Sequence, residues 1–186
     1  WGSAPVQFSY HERRPDGSLA HTAWLAEGPE DPRPALARAL VEATRDAERV
    51  VTYSSFERTQ IRALQAALPD LADELAALDA KLLDLEPVVR NHVAHPDFGG
   101  SFSIKAVLPA LIPELAYEGL EIDDGQVASV ELAHLLLRGD EMTPQERDAK
   151  RAALLEYCHL DTLAMVRLVE RLEELAATDQ DHRATG

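Results

Sequence analysis

Apolar and polar positions alternate from Pro5 to Tyr10, with Val6, Phe8 and Tyr10 against Gln7 and Ser9. That period of two predicts a half-buried strand. The turn signal Pro15-Asp16-Gly17 follows, and His21 to Leu25 returns as a second strand, so a hairpin is expected. Proline-rich Gly28 to Pro34 reads as a loop, and Pro34 suits the start of a helix with Leu36, Leu40 and Ala43 on its apolar side. The run Val50, Val51 and Tyr53 predicts a short buried strand. Ser54 and Ser55 are candidate caps for the next helix, which carries Ile61, Leu64 and Leu68. A further helix follows Pro69-Asp70 to about Ala80, Leu82 to Leu85 is another short strand, and Pro87 to Val93 makes one or two helical turns.

The second half reads as helical. His95 to Gly100 is a loop, Ser103 to Leu111 a short amphipathic helix, Leu120 to Asp124 a loop or edge strand, and Gln126 to Leu137 a helix. Thr143-Pro144-Gln145-Glu146 starts a long helix expected from about Gln145 to Leu175, with residues 176–186 as a flexible polar tail. Strands alternating with helices predict an α/β fold: a mixed central sheet flanked by helices, as one domain over residues 1–175. Val50 and Val51 are too apolar for an edge, so their strand is expected to be central, with the long helix packed on it.

Composition narrows the class. The 186 residues, 46% hydrophobic and 27% charged, suit a self-supporting globular core. The single cysteine, Cys158, excludes an internal disulfide or a Cys-x-x-Cys metal framework. No apolar run approaches the roughly 18 residues of a membrane span, and no signal peptide is visible. A cytoplasmic setting without membrane contact is therefore expected. A net charge of −15, from 18 basic and 33 acidic residues, argues against electrostatic coating of nucleic acid. Two stretches are net positive: residues 49–65, with Arg49, Arg58 and Arg62 against Glu57, and residues 88–108, flanked by His92 and His95. They are either scattered charges on an acidic surface or the lining of one groove.

Three places carry candidate chemistry. On the long helix, Leu154, Tyr157, Asp161, Ala164 and Leu168 fall at helical spacing, so Tyr157 and Asp161 share a face in apolar surroundings. A carboxylate there needs a cation, a metal or hydrogen-bond donors, and a salt bridge at the core edge would serve as well. Tyr53-Ser54-Ser55-Phe56-Glu57 is the exit of a buried strand, where α/β proteins hold ligands; Glu57 is equally a dipole-favoured surface acid. Asp84 lies at the end of the Leu82–Leu85 strand, as either a site acid or a turn residue. Gly-rich nucleotide loops, His-Glu-x-x-His and Gly-x-Ser-x-Gly are absent. The seven histidines show no metal-ligand spacing along the chain, and Cys158, on an apolar stripe, reads as a core residue.

Tyr157-Cys158-His159-Leu160-Asp161 resembles the third motif, Tyr-x-x-x-Asp, of the DEDDy branch of DEDD 3′–5′ exonucleases, which share the RNase H-like fold. The strings VVTYSSFERTQI, LLDLEPVVR, GSFSIKAVLPALIPELAYEGLEI and LLEYCHLDTLAMV are similar to a bacterial RNase H-like family often fused behind a RecB-like nuclease domain. The resemblance covers most of residues 5–172. It implies a metal-dependent nuclease acting on nucleic-acid ends, DNA or RNA, through two divalent ions, Mg²⁺ or Mn²⁺, held by carboxylates. By position, Asp161 and Glu57 would be metal ligands, Asp84 a third, and Tyr157 the residue that orients the attacking water. The superfamily's first motif, Asp-x-Glu on the opening strand, has no counterpart before Glu57. The resemblance places that strand upstream of Trp1, so weak or absent activity is expected of this chain alone. The alternative is an inactive RNase H-like module that binds nucleic acid or a partner protein, including a RecB-like domain of the same parent chain.

Overall fold

The computed structural model describes residues 4–113 and 125–184. The hairpin forms as β1 (Gln7–Arg13) and β2 (Leu19–Leu25), antiparallel, with Phe8 opposite Trp24 and His11 opposite His21. Its turn is set locally: Asp16 Oδ1 accepts from the Ser18 N–H (2.9 Å) and hydroxyl (2.7 Å), and Gly17 sits at φ 83°, a backbone region that costs other residues about 1–2 kcal/mol. Next come α1 (Arg33–Ala43), β3 (Val50–Thr52), α2 (Phe56–Ala67), α3 (Ala72–Lys81), β4 (Leu82–Asp84) and α4 (Glu86–His92). β3 and β4 pair in parallel, with Thr52 opposite Asp84, as the ends of a βαβ crossover through α2 and α3.

The helical half follows as α5 (Ile104–Leu111), α6 (Gly125–Arg138) and α7 (Pro144–Ala184). A reciprocal cap starts α7: the Glu146 carboxylate accepts from the Thr143 N–H (2.8 Å), while Thr143 Oγ1 accepts from the Glu146 N–H (3.2 Å). The helix continues to Ala184, past the Leu175 at which a tail was expected. Residues 176–184 contain no glycine or proline, and their alanines, Gln180 and Arg183 favour a helix. The expected loop or edge strand at Leu120–Asp124 lies outside the described residues.

Apolar side chains divide the molecule into layers. On one side Leu36, Leu64, Leu75 and Leu78 of α1–α3 bury Leu82, with Val50, Phe8 and Trp24 packed against them. On the other, Tyr53, Leu85, Val89 and Val107 pack with Ala164 and Leu168 of α7, and Val51 joins them. A third cluster of Leu25, Leu135 and Leu154 ties β2 to α6 and α7. The strands thus lie between helices, as the patterning predicts, but α7 packs chiefly along the hairpin, α5 and α6 and reaches β3 only through the cluster that Val51 joins. The single central sheet does not form among the described residues: the four strands make two separate pairs, β1–β2 and β3–β4. No helix among the described residues is long and apolar enough to cross a membrane.

The hairpin's alternation has a second consequence. Its apolar positions, Phe8 and Trp24, face α1–α3, so the odd-numbered polar positions of β1 lie along α7. Gln7 Nε2 donates to the Leu154 carbonyl (3.2 Å), Ser9 and His11 meet Thr162, and the Arg13 guanidinium grips Glu173 with two bonds of 3.0 and 2.9 Å. Arg151 of α7 donates to the carbonyls of Ala26 (2.8 Å) and Leu25 (3.2 Å) at the end of β2.

Candidate functional site

The parallel pair β3–β4 ends with both strands pointing the same way, and two of the candidate acids sit at that end. Asp84 closes β4, and its Oδ1 accepts from the Ser54 N–H (2.8 Å) and the Glu86 N–H (2.9 Å), so it stitches the β3 exit to the start of α4. Ser54 is held there at φ 77°, a left-handed conformation that strains a non-glycine residue. Glu57 follows in the first turn of α2. The residue as a whole is exposed, but crowding around its carboxyl and, secondarily, the Asp84 charge hold its pKa above the ordinary glutamate value. Tyr53 donates its hydroxyl to the Phe102 carbonyl (2.7 Å); burial, then Glu86 and Asp84, push the phenol up to about 12.

The cations nearby are committed elsewhere. Arg58 and Arg62 both bind Asp79, at 2.7 and 3.1 Å, and Arg58 also caps the Leu82 carbonyl (3.0 Å). Arg90 pairs with Glu86 and lies 4.8 Å above the Phe102 ring. Arg58 and Arg62 of the first positive stretch are thus paired with α3, and Arg90 of the second within α4.

Tyr157 and Asp161 lie one turn apart on α7, both half-buried. Tyr157 packs with Leu25, Leu135 and Leu154. The Asp161 charge acts on Cys158, whose thiol is pushed up to about 12, first by burial and then by that carboxylate. Cys158 therefore stays a protonated, half-buried thiol, in keeping with a packing role. Ala164 and Leu168, three and seven residues beyond Asp161 on the same face, belong to the apolar cluster that also includes Tyr53 and Leu85, which adjoin the strand-exit acids. The structure thus groups Glu57 with Asp84, places Tyr157 and Asp161 one turn apart on α7, and sets residues of that α7 face in one apolar cluster with residues adjoining the first pair.

A different group escaped the sequence reading. His11 and His21, opposite each other in the hairpin, meet His159 of α7, and one ligating atom from each lies within 4.8 Å of the others. The ring centroids are 4.6 Å (His11–His21), 4.8 Å (His11–His159) and 4.4 Å (His21–His159) apart. Burial, then the two neighbouring rings, lowers His11 to about 4; burial and His159 lower His21, against an opposing pull from Glu156. The signal was indirect: a hairpin centred on Asp16 places residues 11 and 21 opposite each other, though 10 positions apart in the chain.

These features describe a mixed α/β domain with a helix-rich carboxyl half, carrying an acidic strand exit and a histidine cluster between hairpin and long helix. The chain belongs to the family described as Domain of unknown function (DUF2779), whose model matches residues 1–103. Comparison with curated proteins and with solved structures gave no match.

Proposed function

We propose that this chain is an RNase H-like module of a metal-dependent nuclease that hydrolyses phosphodiesters at nucleic-acid ends, with its acidic centre at the carboxyl ends of β3 and β4. The observation that carries the reading is the grouping of Glu57 with Asp84, beside the apolar cluster to which α7 contributes Ala164 and Leu168 from the Asp161 face. Clustered carboxylates, one of them with a raised pKa, suit a hard divalent cation such as Mg²⁺ or Mn²⁺. Glu57, Asp161 and the second oxygen of Asp84 would hold it. A bound ion of this kind supplies water activation and neutralises phosphate charge, which an acidic chain otherwise lacks. Tyr157, one turn from Asp161, would orient the attacking water through its hydroxyl. Among the described residues the two strand pairs are unjoined, and a further strand carrying the Asp-x-Glu motif would complete one sheet.

The test uses end-labelled single-stranded DNA and RNA with Mn²⁺, comparing this chain, a form extended at its amino end, and the extended form with Asp161→Asn. Weak cleavage by the short chain, strong cleavage by the extended one and loss with Asp161→Asn is the expected pattern. Full activity in the short chain that persists with Asp161→Asn would refute it.

A further inference from the structure

We infer that His11, His21 and His159 form a binding site for a late first-row divalent ion, with Zn²⁺ as the reference case, that clamps the amino-terminal hairpin to α7. The site lies apart from the acidic centre: His159 and Asp161 are two residues apart on one helix, about 200° around its axis, so they project from opposite sides.

The hydrogen bonds around the cluster orient the rings. Thr162 Oγ1 lies 3.1 and 3.2 Å from the carbonyls of Cys158 and His159, which can only accept, so the Thr162 proton goes to them. The other contacts of that oxygen are then donors to it: His11 Nδ1–H at 2.9 Å and the Ser9 hydroxyl at 2.8 Å. With the Ser9 proton so placed, the 2.8 Å contact between Ser9 Oγ and His21 Nε2 is donated by the histidine. One proton arrangement therefore satisfies every contact. It fixes the Nε2–H tautomer of His21 and the Nδ1–H tautomer of His11, leaving His21 Nδ1 and His11 Nε2 as lone pairs. Outer partners that donate or accept in this way are what hold a metal-binding imidazole in its ligating form.

Burial and ring proximity lower both His11 and His21, which favours the neutral form that a metal ligand requires. Three imidazoles suit Zn²⁺, Cu²⁺, Ni²⁺ or Co²⁺ and not the hard Mg²⁺ or Mn²⁺. Around tetrahedral Zn²⁺ with bonds of about 2.0–2.1 Å, ligand nitrogens stand about 3.3 Å apart. The present spread of up to 4.8 Å closes by side-chain rotation, for which the exposed His21 is the freest. Three protein nitrogens leave a fourth position for water, with Glu156 one turn from His159 on the same face.

The experiment is calorimetric titration of the metal-stripped chain with Zn²⁺, with Co²⁺ absorption as a second readout and circular dichroism to check folding. One equivalent should bind, with a melting temperature that rises with Zn²⁺ and no competition from Mg²⁺. His21→Gln and His159→Gln should each weaken binding at least about tenfold, as should Thr162→Val, which keeps all three rings but loses the His11 anchor. His92→Gln and Glu57→Gln should leave it unchanged. Because His21 is exposed, His21→Gln keeps the fold and the comparison stays valid. Absence of saturable Zn²⁺ binding, or binding indifferent to His21→Gln and His159→Gln, would overturn the assignment.

Discussion

At the scale of single residues, Asp84 has a structural duty independent of any metal. It accepts two backbone N–H groups at 2.8 and 2.9 Å, and hydrogen bonds to a charged acceptor contribute about 1.5–3 kcal/mol each. Asp84→Ala should lower stability in urea unfolding by about 2–3 kcal/mol, whereas Asp84→Asn, which keeps Oδ1, should cost under about 1 kcal/mol. Glu57 behaves in the opposite sense. Its folded pKa lies above the unfolded one, so the folded state holds the proton to higher pH. The penalty is fully present at neutral pH and disappears as pH falls below the ordinary glutamate value. Glu57→Gln should therefore stabilise the chain slightly at pH 7, within about 0.5 kcal/mol, and leave it unchanged near pH 3. Thermal melts at the two pH values check this sign. The sequence pointed to Glu57 and Asp84 because strand exits are legible from apolar runs; the shared carboxylate that fastens Ser54 is not, because it depends on β3 and β4 lying side by side.

Among elements, α7 unites the clusters, contributing Leu154 to one and Leu168 to another, both essentially buried. Leu168→Ala should cost about 2–5 kcal/mol and shift the whole unfolding transition rather than part of it, measured by urea titration with two probes. The stripe of Leu154, Ala164 and Leu168 was readable from spacing, β1 from its period of two, and β3 and β4 from short apolar runs, since such patterns are written locally. Strand neighbours were less readable. Three-residue strands such as β3 and β4 carry no register of their own, so the single sheet expected from the strand–helix alternation gives way to two pairs. The histidine cluster shows the same divide. The facing of His11 and His21 follows from a turn centred on Asp16, while the arrival of His159 depends on which face of α7 lies along β1.

For the molecule as a whole, the polar seam between β1 and α7 joins residues far apart in the chain: Gln7 to Leu154, Thr162 to Ser9 and His11, Arg13 to Glu173. A ribosome delivers the hairpin well before the helix it lies along. A two-stranded hairpin alone is marginal in water, and closing so long a loop is slow. Until residues beyond Pro144 emerge, the hairpin has its Phe8–Trp24 face against α1–α3 and Leu25 near α6, and its polar face along β1 has no bed. Its backbone amides should thus gain protection in pulse-labelled refolding together with residues 154–173, and no earlier; protection of β1 ahead of α7 would contradict this order. Synthesis that halts before α7 leaves a chain whose first strands are exposed to proteases and to other nascent chains. The hairpin is therefore vulnerable for as long as α7 is unmade.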